Sequence, residues 1–231
     1  MRPAGLNLRP QSPIRMSGIA KIYIQGELKR TDAEFYILLP ALISAGYKKD
    51  DIVCVPFMST SELNCESVFN IYDPFLPRGK LPLLDYKGPH LPLNDIVHVC
   101  SFVTILQNAA ALDLPDETVI LVLDARAIPR RDFDKLLKDL VGLPWECLSL
   151  AHHPQNLAED ASYFSESEIR EHELTTPVTS RAVALRLSYV KKLVKTIMPF
   201  RESLDYELVF QTIIHKAKAQ YVFPPIFDLR V

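Results

Sequence analysis

The sequence predicts a single α/β domain built on a mixed, mostly parallel sheet flanked by helices. Three observations carry that expectation. Short apolar runs of strand length alternate with amphipathic stretches of helix length along most of the chain, the pattern of βαβ units. One run, Val119-Ile120-Leu121-Val122-Leu123, does not alternate at all and reads as a central parallel strand covered on both faces. With 231 residues, 48% of them hydrophobic, the chain is long enough to bury one large core without a disulfide or metal staple.

The elements follow in order. Residues 1–18 carry Arg2, Arg9 and Arg15 among Pro3, Pro10 and Pro13 and read as a flexible tail, with Met16 an alternative start. The domain occupies 19–231 and opens on a strand at Ala20–Ile24. Thr31 and Glu34 have capping-box spacing and start a helix that runs to Ala45. Ile52–Pro56 is the second strand. Residues 57–92, rich in Pro, Asn, Asp and Ser, are too long for a plain connection and read as a functional loop. Asn94 caps a helix through Ala111, and the apolar central strand follows. Arg130–Val141 places Phe133, Leu136, Leu137 and Leu140 on one helical stripe. Trp145–Ala151 is a strand and 152–179 a second polar loop. Arg181–Leu187 alternates as a strand, Ser188 and Ser203 cap two further helices, and Ala219–Phe223 closes the sheet.

Composition removes several function classes. Seven glycines leave neither the spaced triplet of a dinucleotide fold nor a P-loop. A net charge of −2 supplies no field for a nucleic-acid backbone. No apolar run approaches the roughly 18 residues of a membrane span. Cys54, Cys65, Cys100 and Cys147 contain no C-x-x-C pair, and the apolar settings of Cys54, Cys100 and Cys147 read as buried free thiols in a reducing, cytoplasmic compartment. Among the histidines, His98 reads as packing in an apolar helix and His215 as solvated. His152-His153 points to opposite faces of an extended chain.

In an open α/β sheet, ligands bind beyond the carboxyl ends of the strands. The first polar residues after the most buried strand are Asp124 and Arg126, and an acid leaving an apolar strand needs a partner. Around them the segment order resembles glycosyltransferase family 25, the lipopolysaccharide-type sugar transferases. Tyr23-Ile24 followed by Lys29-Arg30-Thr31-Asp32 is similar to the family's opening strand with its basic pair, spacer and acid. Asn94 to Phe102 stands in register with its G-E-I-G-C-A-L-S-H helix, sharing an acid at Asp95, Ile96 and Ser101. Val122-Leu123-Asp124-Ala125-Arg126-Ala127 looks like its V-L-E-D-D-A strand end. Ser180-Arg181-Ala182, Lys191-Lys192-Leu193 and Asp205-Tyr206-Glu207-Leu208 resemble its later elements, and Pro224-Pro225 closes the domain as it does there.

The resemblance, which spans about residues 20–226, implies a GT-A-like fold and an inverting transfer of sugar from a nucleotide-diphosphate donor to a glycan, lipid-linked or protein acceptor. It implies donor contacts from Arg30, Asp32, Asp95, Ser101, Asp124 and Arg126, and a general base at Asp205 or Glu207, of which Asp205 is the choice. The family holds a divalent cation, Mn²⁺ or Mg²⁺, through paired acids. Here Ala125 and Arg126 replace the second and third acids, and Ser101 is followed by Phe102 where the family has His. Two outcomes follow. Arg126 supplies the positive charge in a metal-independent enzyme, or the site is degenerate and the domain binds without turning over, with Asp124 the remaining metal candidate. A catalytically inactive binding module on the same scaffold is the alternative function.

Overall fold

The computed structural model of the chain describes residues 18–26, 35–76, 91–151, 168–171 and 178–229. The elements are β1 (Ile19–Gln25), α1 (Phe35–Ser44), β2 (Ile52–Val55), α2 (Cys65–Ile71), α3 (Leu93–Ala110), β3 (Val119–Asp124), β4 (Ala127–Pro129) and α4 (Phe133–Val141), then β5 (Cys147–Ser149), β6 (Glu168–Glu171), β7 (Ala182–Arg186), α5 (Leu187–Thr196), α6 (Leu204–His215), β8 (Ala219–Phe223) and β9 (Phe227–Leu229). The main sheet has the order β2-β1-β3-β7-β5-β8-β6, and β4 pairs with β9 in a separate ribbon. β1 is parallel to β2 and β3, and β5 to β8, whereas β7 is antiparallel to both β3 and β5, and β6 to β8. The sheet is therefore mixed and mostly parallel: β1, β2, β3, β5 and β8 run one way, β6 and β7 the other.

β3 divides the core. Ile120 and Val122 face an apolar cluster with Tyr23, Val183 and the inner sides of α3, α5 and α6. Leu121 and Leu123 face a second cluster with Ile22, Ile24, Leu38 and Leu42 of α1, and Phe133, Leu137 and Leu140 of α4. Every β3 residue is buried, which explains why the run does not alternate. Each such aliphatic side chain contributes roughly 1.5–3 kcal/mol by leaving water.

Several expectations need correction. β3 is central but only half parallel, because its second neighbour is the reversed β7. The stretch 57–92 is not all loop: it holds a 3-10 turn at Thr60–Glu62 and helix α2. β4 and β9, three residues each, are too short for a period to show, and the sequence predicts neither. α3 begins ahead of Asn94, with Pro92 at the N-cap, and Ser188 lies inside α5 rather than capping it. Cys54 is exposed on the edge strand β2, while Cys100 and Cys147 are buried. Burial pushes the Cys147 thiol up to about 12. Arg186 is a clasp at the end of β7. Its guanidinium stacks 4.3 Å over the Trp145 ring and donates to the carbonyls of Glu117, Val141, Leu143 and Trp145. His215 is half-buried, with Nε2 2.8 Å from the Thr196 hydroxyl.

No helix among the described residues is long and apolar enough to cross a membrane. The tail at 1–17, the expected capping box at Thr31 and Glu34, and His152-His153 lie outside the described residues.

Candidate functional site

The carboxyl ends of β1, β2 and β3 and the amino end of β7 meet at one edge of the sheet. Pairing register aligns them: Gln25 stands opposite Val55 on one side and Asp124 on the other. Leu123 pairs with Ala182, and the Asp124 N–H donates to the Arg181 carbonyl at 2.5 Å, which makes Arg181 the next member of the row. Side chains alternate along strands. Tyr23, Val122 and Val183 face α3, so Gln25, Asp124 and Arg181, each two residues along, point to that side as well. α3 brings Asn94, Asp95 and His98, whose spacing of three and four puts them on one helical face. Between this row and α3 lies a cavity of about 700 Å³. Gly26 and Asp124–Arg126 form its sheet wall with Arg181. Phe57–Thr60, leaving β2, and the first turns of α3 complete it.

Asp124 is buried, and Arg126 folds back onto it. The Arg126 backbone N–H donates to Oδ1 at 2.8 Å, Nε to Oδ1 at 3.1 Å and Nη2 to Oδ2 at 3.0 Å. This is a two-pronged guanidinium–carboxylate pair, the strong geometry for that contact. Ala125, between them, turns its methyl to the apolar cluster on the opposite face of the sheet. A Cβ added to Gly26 would come within 2.7 Å of that methyl, so the chains leaving β1 and β3 touch where the cavity begins. The donor set does not fit a divalent cation. Both Asp124 oxygens are taken by a cation already, and the described residues contain no group of three or more His, Cys, Asp or Glu able to hold a metal.

The remaining expected residues divide into four groups. Asp95 lines the cavity. Asp205, in the first turn of α6, uses Oδ1 to accept from the Ser180 N–H at 2.8 Å and the Ser180 hydroxyl at 2.5 Å. It thereby fixes the turn that presents Arg181, and its charge acts on His98. Glu207 and Ser101 are set behind the wall. Glu207 is fully buried, and its Oε1 accepts from the backbone N–H groups of Arg201 at 2.7 Å and Glu202 at 3.0 Å. Ser101 donates to the Val97 carbonyl at 2.8 Å and accepts from the Met58 N–H at 2.9 Å, so it anchors the segment after β2 onto α3. Arg30 and Asp32 lie outside the described residues.

His98, Arg181 and Gln25 were not singled out by sequence reasoning as site residues. The His98 ring meets Phe57 edge to face, with centroids 5.6 Å apart. Burial holds its pKa below the ordinary histidine range. Asp205, Asp124 and Asp95 pull the other way, and Arg181 adds to the lowering. The available signal was the Asn94–Asp95–His98 spacing on one face of the helix.

No protein-family model matches this sequence, and no curated protein is significantly similar to it.

Proposed function

We propose that the chain is a GT-A-like sugar transferase that takes a nucleotide-diphosphate sugar into this cavity and passes the sugar, with inversion, to a hydroxyl of a glycan, lipid-linked or protein acceptor. The observation that carries the reading is the Asp124–Arg126 pair at the end of the central strand, facing a large polar-edged cavity that Arg181 enters from the neighbouring strand. Ligands of open α/β sheets bind at this edge. The mixed sheet, with β7 reversed between β3 and β5, fits a GT-A-like arrangement.

In this reading the guanidinium groups of Arg126 and Arg181 take the diphosphate, since arginine recognises phosphate oxygens in a planar fork. Asp205 receives the acceptor proton as the acceptor oxygen bonds to the anomeric carbon. The bond from that carbon to the phosphate oxygen breaks, and the nucleoside diphosphate leaves with the electron pair. Ser180 holds the Asp205 carboxylate in its rotamer. Glu207 keeps the turn before α6 in shape and has no chemical role.

A second reading is favoured by the same pair. With Arg126 held on Asp124, the domain is a nucleotide-sugar binding module that does not turn over. Calorimetric titration with UDP, GDP and CMP, each with Mn²⁺ or with EDTA, combined with an assay of nucleoside diphosphate release, tests both. Binding that persists in EDTA, with release on adding an acceptor, is the expected result. Binding without release favours the silent module, and no binding to any nucleotide overturns both readings.

A further inference from the structure

The cavity brings together two basic groups that the fold leaves unengaged. Arg181 and His98 both line it, and both are half-buried. Among the described residues, neither the Arg181 guanidinium nor the His98 ring nitrogens have a hydrogen-bond or ion-pair partner. Arg126 differs, because its Nε and Nη2 are already engaged by Asp124. An idle guanidinium facing a cavity is a ready anion site, since its planar fork matches phosphate oxygens. The groups that act on the His98 ring come from several elements: Asp95 on its own helix, Asp124 on β3, Arg181 ahead of β7 and Asp205 on α6. Arg126 is offset by Asp124, and Phe57–Thr60 add no titratable group. Phe57 instead packs edge to face on the ring, centroids 5.6 Å apart. Burial and Arg181 favour the neutral ring in the free protein, while the three carboxylates favour its charged form. A phosphate on Arg181 offsets one of the two lowering causes and adds negative charge of its own.

We infer that Arg181 and His98 form a phosphate subsite, in which the ring takes up a proton from solvent as the anion arrives and donates an N–H to its oxygen. The inference rests on the reading of the cavity as a nucleotide-sugar site, whose donor diphosphate supplies the anion. By linkage, a ring that is neutral in the free protein and charged in the complex makes affinity rise as pH falls from the bound pKa to the free one. Each unit between those two values is worth at most a tenfold change in affinity.

UDP-glucose, GDP-mannose and sulfate carry no group that titrates in the histidine range, so a proton taken up on binding belongs to the protein. The histidine ring signals of the natural chain are followed by NMR across that range, without ligand and with each probe. His98→Gln and His98→Asn each identify the His98 signal by its loss. The expected result is a His98 pKa raised by about one unit when a probe is bound, with binding about fivefold tighter at about pH 6 than at about pH 8. That pH dependence disappears in both His98 variants, and Arg181→Gln weakens every probe. An unmoved His98 pKa with a nucleotide sugar bound overturns the inference and leaves the donor site standing. A raised pKa with sulfate, and no binding of either nucleotide sugar, supports the anion subsite and removes the nucleotide-sugar reading. No binding of any probe overturns both.

Discussion

Arg126 reaches back over Ala125 to grip the carboxylate two residues earlier, so the loop after the central strand carries its own counter-ion. Truncating Arg126 to Ala leaves Asp124 buried and without that partner. Because the Arg126 side chain is 46% exposed, the expected loss of stability is modest, about 1 kcal/mol in chemical denaturation. The larger effect falls on ligand binding, about tenfold or more in nucleotide affinity by calorimetry. An affinity equal to that of the natural chain would remove Arg126 from the donor site. At Asp205 the prediction separates two roles. Asp205→Asn keeps an oxygen to accept from Ser180 but abolishes the base, so turnover falls about 10²- to 10⁴-fold while the melting temperature changes little. Ser180→Ala removes the positioning contact and lowers turnover less. Equal loss in both variants, without a change in pH dependence, would count against proton transfer at Asp205.

At the scale of elements, the packing of α5 and α4 against the sheet depends on Arg186. It ties the carbonyls of Glu117, Val141, Leu143 and Trp145 to the end of β7 and stacks on the Trp145 ring, whose Nε1 donates to the Leu140 carbonyl at 2.7 Å. Arg186→Met keeps the stack in part and forfeits every donor, and about 2–4 kcal/mol should be lost in chemical denaturation. Glu207 is the corresponding fastener for α6. Glu207→Ala leaves the Arg201 and Glu202 N–H groups without their acceptor and should cost about 2–3 kcal/mol by the same measurement, whereas Glu207→Gln retains an oxygen and costs less. The elements themselves were largely legible. The apolar run of β3, the stripe of α4 and the bounds of β8 follow from periodicity and from the flanking polar residues. β4 and β9 were not, because three residues carry no period, and they exist by pairing with each other across the chain. The role of Arg186 was hidden for a related reason: its acceptors are backbone carbonyls, which no side-chain pattern marks.

For the molecule as a whole, pH dependence gathers on two half-buried histidines. His98 and His215 both have pKa values held below the ordinary value, first by burial. The unfolded chain therefore binds protons that the folded chain refuses as pH falls through the usual histidine range, so stability is full above about pH 6.5 and declines below it. Replacing His98 by Asn should flatten that decline between about pH 7 and 5, and His215→Asn should flatten it separately. Urea denaturation across that interval checks both, and an undiminished slope in the double variant would mean that the histidines do not carry it.

What the sequence determined by itself is local: where strands and helices lie, which face of each is apolar, and that an acid emerges from the most buried strand. A side chain's alternation along its own strand is fixed by two neighbouring peptide units, so it can be read without knowing the fold. Only the tertiary structure decided that β7 lies reversed beside β3, and with it that Arg181 stands next to Asp124, that His98 faces them from α3, and that Glu207 and Ser101 serve the wall rather than the cavity. Strand neighbours are selected by summed burial over residues far apart in the chain, a quantity that no short window contains.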